Sequence, residues 1–294
     1  MKILITGATG FVGKNLIKKA KKRGYILYAL VRPSTNKDFL IKENIKYHVL
    51  DKNIENFISF MQNEKIDGVI HLASLFLTQH NPEDVKNLID SNVYLGSLVL
   101  EASVRGNVKW FINTGTFWQH YRGKDYSPIN LYSATKQAFE DIAKYYAESS
   151  NINFVTIKLN DTFGPNDSRP KLLNVWDKIS RSGEVLDMSP GKQILDITHV
   201  ENVVSAFLQM IMLLSTDKQR KFSGKSYVVK SPKRMSLKKL AHLFEKITGR
   251  TLNIRWGKKT YRERENMNPW NNGKVIPGWK PSITLEEGIK KTYK

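Results

Sequence analysis

Tyr132 and Lys136, in the stretch "NLYSATKQ", stand four residues apart, and Thr116 precedes them in "FINTGT". On a helix, residues four apart share a face, so the phenol and the ammonium would lie side by side. A free tyrosine ionises near pH ~10, and a fixed cation beside it stabilises the phenolate, which makes Tyr132 a candidate acid or base near neutral pH. Thr116, closing the preceding strand, would hydrogen-bond a substrate oxygen. Alone, the spacing is as compatible with an exposed helix face.

The elements that must hold these groups are written in the hydrophobic pattern. Apolar runs over residues 3–6, 25–32, 45–51, 67–74, 108–115 and 154–160 predict strands, and residues 53–64, 90–106 and 133–150 predict helices. A further helix follows the first strand, with Phe11, Val12, Leu16 and Ile17 at spacings of three and four. Strands and helices alternating in this way predict an α/β protein with a doubly wound parallel sheet. After residue 161 the rhythm breaks into turn-rich sequence. Residues 1–165 are assigned to the core, with 193–229 returning to it, and residues 166–192 and 230–294 to a smaller substrate-binding lobe.

The 294 residues, 40% of them hydrophobic, can bury a full core. No cysteine occurs, which removes disulfides, thiolate metal sites and cysteine nucleophiles and fits a reducing, cytoplasmic setting. The N-terminal apolar run reaches glycine too early for a signal peptide, and the longest apolar stretch, 203–215, is too short to span a bilayer. Neither a membrane nor a metal is expected as a partner. A formal charge of +20 invites nucleic acid. The lysines, however, are scattered along helices such as "KNLIKKAKKRG" with no nucleic-acid motif around them. A solvated basic face that steers anionic ligands is therefore the expectation.

Gly7, Gly10 and Gly13 in "TGATGFVG" follow the first strand and open the first helix. In that context Gly7 permits the tight turn, Gly10 lets a pyrophosphate approach the backbone, and Gly13 allows close packing, while the helix N-terminus offers its amides. The second strand ends "ALVRPST", without the acid that commonly binds the ribose 2′-hydroxyl of NAD. Arg32 could instead pair its planar fork with a 2′-phosphate, assisted by Ser34, which points to NADPH (NADP+). A surface arginine after a strand would read the same way. Asp51 is a candidate acceptor for the adenine amino group, or an N-cap for the following helix.

Taken in order, "TGATGFVG", "DGVIHLAS", "NVYLG", "FINTGT", "YSATK", "TFGP", "DITHVENV" and "GWKPSITLEEGI" resemble the extended short-chain dehydrogenase/reductase family, in its nucleotide-sugar branch, over nearly the whole chain. The resemblance implies a Rossmann-type core and hydride transfer at a sugar carbon. Tyr132 would donate or accept the proton, Lys136 would tune it and hold the nicotinamide ribose, and Thr116 would polarise the carbonyl. The cofactor set implied is Gly7, Thr9, Gly10, Phe11, Val12, Gly13, Arg32, Ser34, Asp51, Leu72, Ala73, Ser74 and Asn92, with Tyr132 and Lys136. His71 is expected to be a packed histidine. A homodimer is implied as well.

Dehydratases of this branch carry Asp-Glu directly after the catalytic threonine, whereas this chain has Phe117 and Trp118, which exchange no proton. The two aromatics are expected to shape an apolar wall suited to a sugar that has lost hydroxyls; packing against the neighbouring loop is the other reading. With no acid after the second strand, a reductase consuming NADPH is favoured over an epimerase with resident NAD. The segments "FWQHYRGKDYSPINLY", "NDTFGPNDSRPK" and "LDMSPGKQILD" are similar to reductases that make CDP-3,6-dideoxyhexoses. That similarity implies reduction at C4 of CDP-4-keto-3,6-dideoxyglucose, in deoxysugar biosynthesis of the O-antigen or capsule type. Relatives place an arginine just before the aspartate of the "DITHV" motif to meet the substrate diphosphate, and Leu195 stands there instead. Arg169, Lys171, Arg262 and Arg264 become the candidates, each of which could equally be a surface charge, and Asn160 completes the substrate set. A non-catalytic NADP-sensing protein of this fold would be expected to lose the tyrosine or the lysine; both are present.

Overall fold

A computed structural model describes residues 1–294. Strands β1 (Lys2–Thr6), β2 (Ile26–Val31), β3 (Lys46–Val49), β4 (Gly68–His71), β5 (Trp110–Thr116) and β6 (Asn153–Leu159) alternate with helices α1 (Phe11–Lys22), α2 (Asp38–Lys42), α3 (Ile54–Glu64), α4 (Asp84–Ile89), α5 (Leu95–Arg105) and α6 (Leu131–Ser149). The second half adds β7 (Asp161–Phe163), α7 (Leu172–Ser182), β8 (Leu186–Met188), β9 (Ile194–Leu195), β10 (Ile197–His199), α8 (Val200–Thr216), β11 (Lys225–Val229), β12 (Met235–Ser236), α9 (Leu237–Thr248), β13 (Ile254–Trp256) and α10 (Leu285–Tyr293).

Seven parallel strands form the central sheet in the order β11-β6-β5-β4-β1-β2-β3. The apolar runs are continuous because helices cover both faces. Along β1, alternate residues serve opposite sides: Ile3 and Ile5 pack with Ile70, Ile112 and the helix residues Leu16 and Phe207, while Leu4 packs with Phe57, Phe111 and Phe139. The chain leaves β1 toward β2 and β3, then returns to place β4 on the other side. The crevice that this reversal opens at the strands' carboxyl ends is the usual ligand position in such sheets.

A third core holds the smaller lobe together, with Leu173, Trp176 and Ile179 of α7 against Leu240 and Phe244 of α9 and Ile289 of α10. Three two-stranded pairs, β7–β10, β8–β13 and β9–β12, stitch it. Because β9 pairs with β12 and Ile197 packs in this third core, residues 193–199 sit with the lobe. The chain returns to the central sheet through α8 and β11, and again near residue 275, where Val275 bridges Val228 of β11 and Ile276 and Trp279 join the first core.

The helix expected over 90–106 is interrupted. Residues Asp90–Tyr94 form a π-turn between α4 and α5, which places the side chain of Asn92 in the interior. Such wide turns are frequently found at functional sites. No helix is long and apolar enough to cross a membrane, and no cluster of three or more His, Asp or Glu side chains could hold a metal ion.

Trp176 is fully buried at the centre of the third core. Trp176→Ala is expected to cost about 3–5 kcal/mol in urea denaturation; a loss below ~1 kcal/mol would mean that the lobe is not held by this core.

Candidate active site

Two adjoining cavities occupy the crevice. The first, about 560 Å³, is lined by Gly7, Thr9 and Gly10 of the glycine turn, Leu30, Arg32 and Thr35 after β2, Leu50 after β3, and Ala73, Ser74 and Leu75 after β4. The second, about 300 Å³, is lined by Gly13, Phe11, Val12, Leu72, Phe76, Thr116, Trp118, Tyr132, Lys136, Asn160, Asp161, Arg169 and Lys171. Gly7, Gly10 and Ser74 line both, so the cavities form one elongated cleft.

The glycine turn is shaped for a dinucleotide. Gly7 has φ +66°, and a Cβ on it would lie 2.7 Å from the Ala73 nitrogen; a Cβ on Gly13 would lie 2.3 Å from the Gly7 carbonyl oxygen. Neither position tolerates a side chain without moving backbone. Gly10 is the N-cap of α1, no side chain caps its amides, and no acid stands in the first turn. The amides at this helix end are thus available to a pyrophosphate lining the cleft.

Around the adenosine end the structure redistributes the expected roles. Arg32 lines the cavity, but Ser34 is exposed outside it, and Thr35 takes the place expected for Ser34. Thr35 folds back, its hydroxyl accepting the Arg32 amide at 3.1 Å, and this tight turn directs the serine outward. Asp51 is neither an adenine acceptor on the cavity wall nor the cap of α3. Its exposed carboxylate accepts from the Asn53 amide and the Asn56 side chain, and Asn53 caps the helix.

A run of hydrogen bonds ties β1 to α6. The Thr6 hydroxyl accepts the Ala73 amide and contacts Nδ1 of His71. His71 is fully buried, and burial pushes its pKa down to about 3, so it is a neutral packed group. Ser74 donates to Asn92 Oδ1, which also accepts the Leu75 amide; Asn92 Nδ2 donates to Thr135, whose hydroxyl donates to the Tyr132 carbonyl. Asn92 therefore works through its neighbours and does not line either cavity. Asn130 caps α6 and donates to the Leu77 and Thr78 carbonyls, fixing the start of the helix that carries the tyrosine.

Thr116, Tyr132 and Lys136 meet in the second cavity. The Thr116 oxygen accepts the Trp118 amide at 3.3 Å, which leaves its own proton free to donate to a substrate oxygen. Tyr132 departs from the expectation drawn from spacing. Burial, reinforced by the carboxylate of Asp161, pushes its pKa up to about 12, while a contact with the Ser74 hydroxyl pulls the other way. The Lys136 ammonium does not offset that burial, and the phenol stays protonated at neutral pH. Burial likewise lowers Lys136, to about 8, against the opposing pull of Glu140.

The two aromatics after Thr116 part company. Trp118 lines the cleft, but Phe117 is fully buried, edge-on to Trp270 at 6.1 Å. The apolar wall is completed instead by Phe76, 5.4 Å from Trp118 and edge-on to Tyr132 at 5.0 Å. Sequence reasoning missed Phe76 and Asp161, which adjoin motifs it did identify, "HLAS" and Asn160. Lys171 lies over the Phe76 ring at 3.8 Å and 3.6 Å from Asp161. Arg169 donates through Nε and Nη2 to Asp167 and through Nη2 to the Thr162 carbonyl, and it covers Phe11 beside the glycine turn. Arg262 pairs with Glu265 above the Trp118 ring, and Arg264 lies over Tyr121 and donates to Ser127. Neither of these two lines the cavity.

The NAD dependent epimerase/dehydratase family matches residues 3–229. The chain belongs to that family. It is an NAD(P)-dependent enzyme of the extended short-chain dehydrogenase/reductase type. It is similar to CDP-abequose synthase of Salmonella muenchen, 28% identical over 99% of this chain and 96% of the relative. It is also similar to the CDP-abequose synthase of Yersinia pseudotuberculosis, 25% identical over 92% of each. Among solved structures, UDP-glucose 4-epimerase of Thermotoga maritima with UDP-glucose superposes with a TM-score of 0.85, 20% identical, over 100% of this chain and 97% of that one. UDP-glucuronic acid 4-epimerase of Bacillus cereus, in complex with UDP-glucuronic acid and NAD, gives 0.83 at 19% identity, over 100% and 98%.

In this family's chemistry the bound nicotinamide supplies or accepts a hydride, and the chain's residues manage the proton. Thr116, Tyr132 and Lys136 line the same cavity, two hydroxyls and a buried ammonium of the kind such proton transfer uses. Tyr132→Phe is expected to lower turnover by about 10²–10⁴-fold while the cofactor still binds; wild-type rates in this variant would refute the assignment. As pH rises, Lys136 loses its charge near 8 before Tyr132 ionises near 12. Turnover that depends on the Lys136 charge should therefore be level at neutral pH and fall as pH passes through about 8, and a rate that keeps rising across that range would contradict it.

Proposed function

We propose that the protein is a cytoplasmic, NADPH-dependent reductase of a nucleotide-linked 4-keto-deoxyhexose, acting at C4 of CDP-4-keto-3,6-dideoxyglucose in deoxysugar biosynthesis. The observation that carries the reductase reading is Arg32 lining the adenosine cavity, with no carboxylate at the end of β2. A guanidinium there suits a 2′-phosphate, and a soluble NADPH pool serves net reduction. The protonated Tyr132 supports the same direction, since ketone reduction requires a proton donor.

The sugar reading is supported by the Phe76–Trp118 wall, which offers apolar surface where hydroxyls of an ordinary hexose would need partners. Similarity to CDP-abequose synthases along nearly the full chain supports the CDP-linked class. Arg169 and Lys171, which both line the cavity, are the favoured contacts for the substrate diphosphate, and Arg262 over the Trp118 ring is the next. Exposed Val85 and Ile89 of α4, Tyr94 beside α5, and Ile142 and Tyr145 of α6 support a homodimer, which sedimentation velocity tests; a monomer at micromolar concentration would refute it.

Oxidation of NADPH, followed by absorbance against CDP-, dTDP-, GDP- and UDP-linked 4-keto sugars, should select the CDP-linked 4-keto-3,6-dideoxyhexose. Arg32→Ala should reduce the preference for NADPH over NADH by about tenfold or more. Cofactor retained through purification, with turnover that needs no added NADPH, would replace this reading with that of an NAD-dependent 4-epimerase.

A further inference from the structure

Next to the cleft, where α6 packs on β5 and β6, a set of polar side chains is buried together. Gln119 is fully buried; its Oε1 accepts the Thr116 amide at 2.9 Å, and its Nε2 donates to Glu140 Oε1 at 2.9 Å and to Gln137 Oε1 at 2.8 Å. The second Glu140 oxygen lies 3.4 Å from the Lys158 ammonium, and both side chains are nearly buried. Lys158 Nζ is in turn 2.9 Å from Nε2 of His120, which is stacked on Trp270 at 3.6 Å. Burial and the Lys158 charge push the His120 pKa down to about 4, so the neutral ring accepts from the ammonium through Nε2 and donates through Nδ1 to the Lys124 carbonyl. Gly115 makes room for this arrangement. A Cβ there would stand 2.8 Å from Glu140 Oε1 and 2.9 Å from Lys158 Cγ.

A buried ion pair seldom stabilises a fold better than apolar packing of the same volume, so its place at the end of the catalytic strand calls for another reason. Tyr132, Lys136 and Glu140 follow one another at four-residue spacing along α6, on one face. The Lys136 ammonium is faced by Tyr132 and Glu140 from its own helix and by the neutral His71 of β4. Asp161 of β7 lines the same cavity but is paired with Lys171. Glu140 is faced by Lys158 of β6 and by Gln119 and Gln137.

We propose that Glu140 is a positioning residue for both halves of the catalytic set: through Gln119 it locks the backbone at Thr116, and one turn along α6 it sets its carboxylate on the face that carries the enclosed Lys136 ammonium. The lock sets where the Thr116 hydroxyl points, and errors of about 1 Å in such a group cost up to roughly a hundredfold in rate. The charge matters because burial pushes Lys136 toward its neutral form and the Glu140 carboxylate opposes that push. The proposal rests on the oxidoreductase reading but not on the identity of the sugar.

The test pairs kinetics with an NMR titration of the Lys136 side-chain resonance in the NADP+-bound protein, for wild type, Glu140→Gln, Glu140→Asp and Gln119→Leu. Glu140→Gln should move both the Lys136 midpoint and the alkaline limb of kcat to lower pH. Glu140→Asp should keep the limb, because the charge remains, but lose rate through the shortened reach to Gln119. Gln119→Leu should lower kcat about tenfold or more, with KM for NADPH and the limb unchanged. A folded Glu140→Gln with the wild-type Lys136 midpoint overturns the proposal. If that variant does not fold, wild-type kcat in Glu140→Asp or Gln119→Leu overturns it. Failure of the wild type to reduce any sugar refutes the proposed function, and the lysine midpoint then decides the present inference by itself.

Discussion

Backbone meets backbone where the glycine turn lies against the start of the β4 loop, with the Cβ positions of Gly7 and Gly13 already claimed by Ala73 and by the turn itself. This approach brings the exposed amides of α1 to within reach of the segment that leads to the catalytic helix. Its consequences run outward as hydrogen bonds. Thr6 holds Ala73, Ser74 and Leu75 hold Asn92, and Asn92 holds Thr135, whose hydroxyl reaches the Tyr132 carbonyl. The phosphate end and the proton-transfer end of one cleft are thereby fixed to each other. The π-turn at Asp90–Tyr94 is the local distortion that turns Asn92 inward to make the connection.

Enclosure sets the electrostatics. Tyr132 and Lys136 are pushed in opposite directions by the same loss of water, the phenol toward its neutral protonated form and the ammonium toward deprotonation. A tyrosine that keeps its proton is matched to delivering one to an oxygen that gains charge. A carboxylate one turn along the helix, Glu140, opposes that push on the lysine. Arg32, by contrast, stands exposed at the rim of the first cavity, in contact with solvent.

The smaller lobe contributes less chemistry and more shape. Lys171, the N-cap of the α7 helix that the third core holds, lies over Phe76 of the aromatic wall, and Arg262 lies over Trp118. Trp270 links the lobe to the sheet by stacking on His120, whose ring belongs to the loop after the catalytic strand.

What the sequence determined by itself was local and periodic. The alternation of strand and helix, the glycine turn, the tyrosine–lysine spacing and the missing acid after β2 are each visible within a few residues, because each expresses the geometry of a single element. Tertiary structure decided what depended on direction and on distant partners. Phe117 and Trp118 are adjacent in the chain yet face opposite ways, and Ser34 and Thr35 exchange places at the cavity, because successive side chains in an extended or turning backbone diverge and packing selects between them. Spacing placed a cation beside Tyr132 but could not weigh it against burial. Nor could it pair Gln119 with Glu140 or Glu140 with Lys158, 21 and 18 residues away, since those contacts exist only once α6 has been laid across β5 and β6.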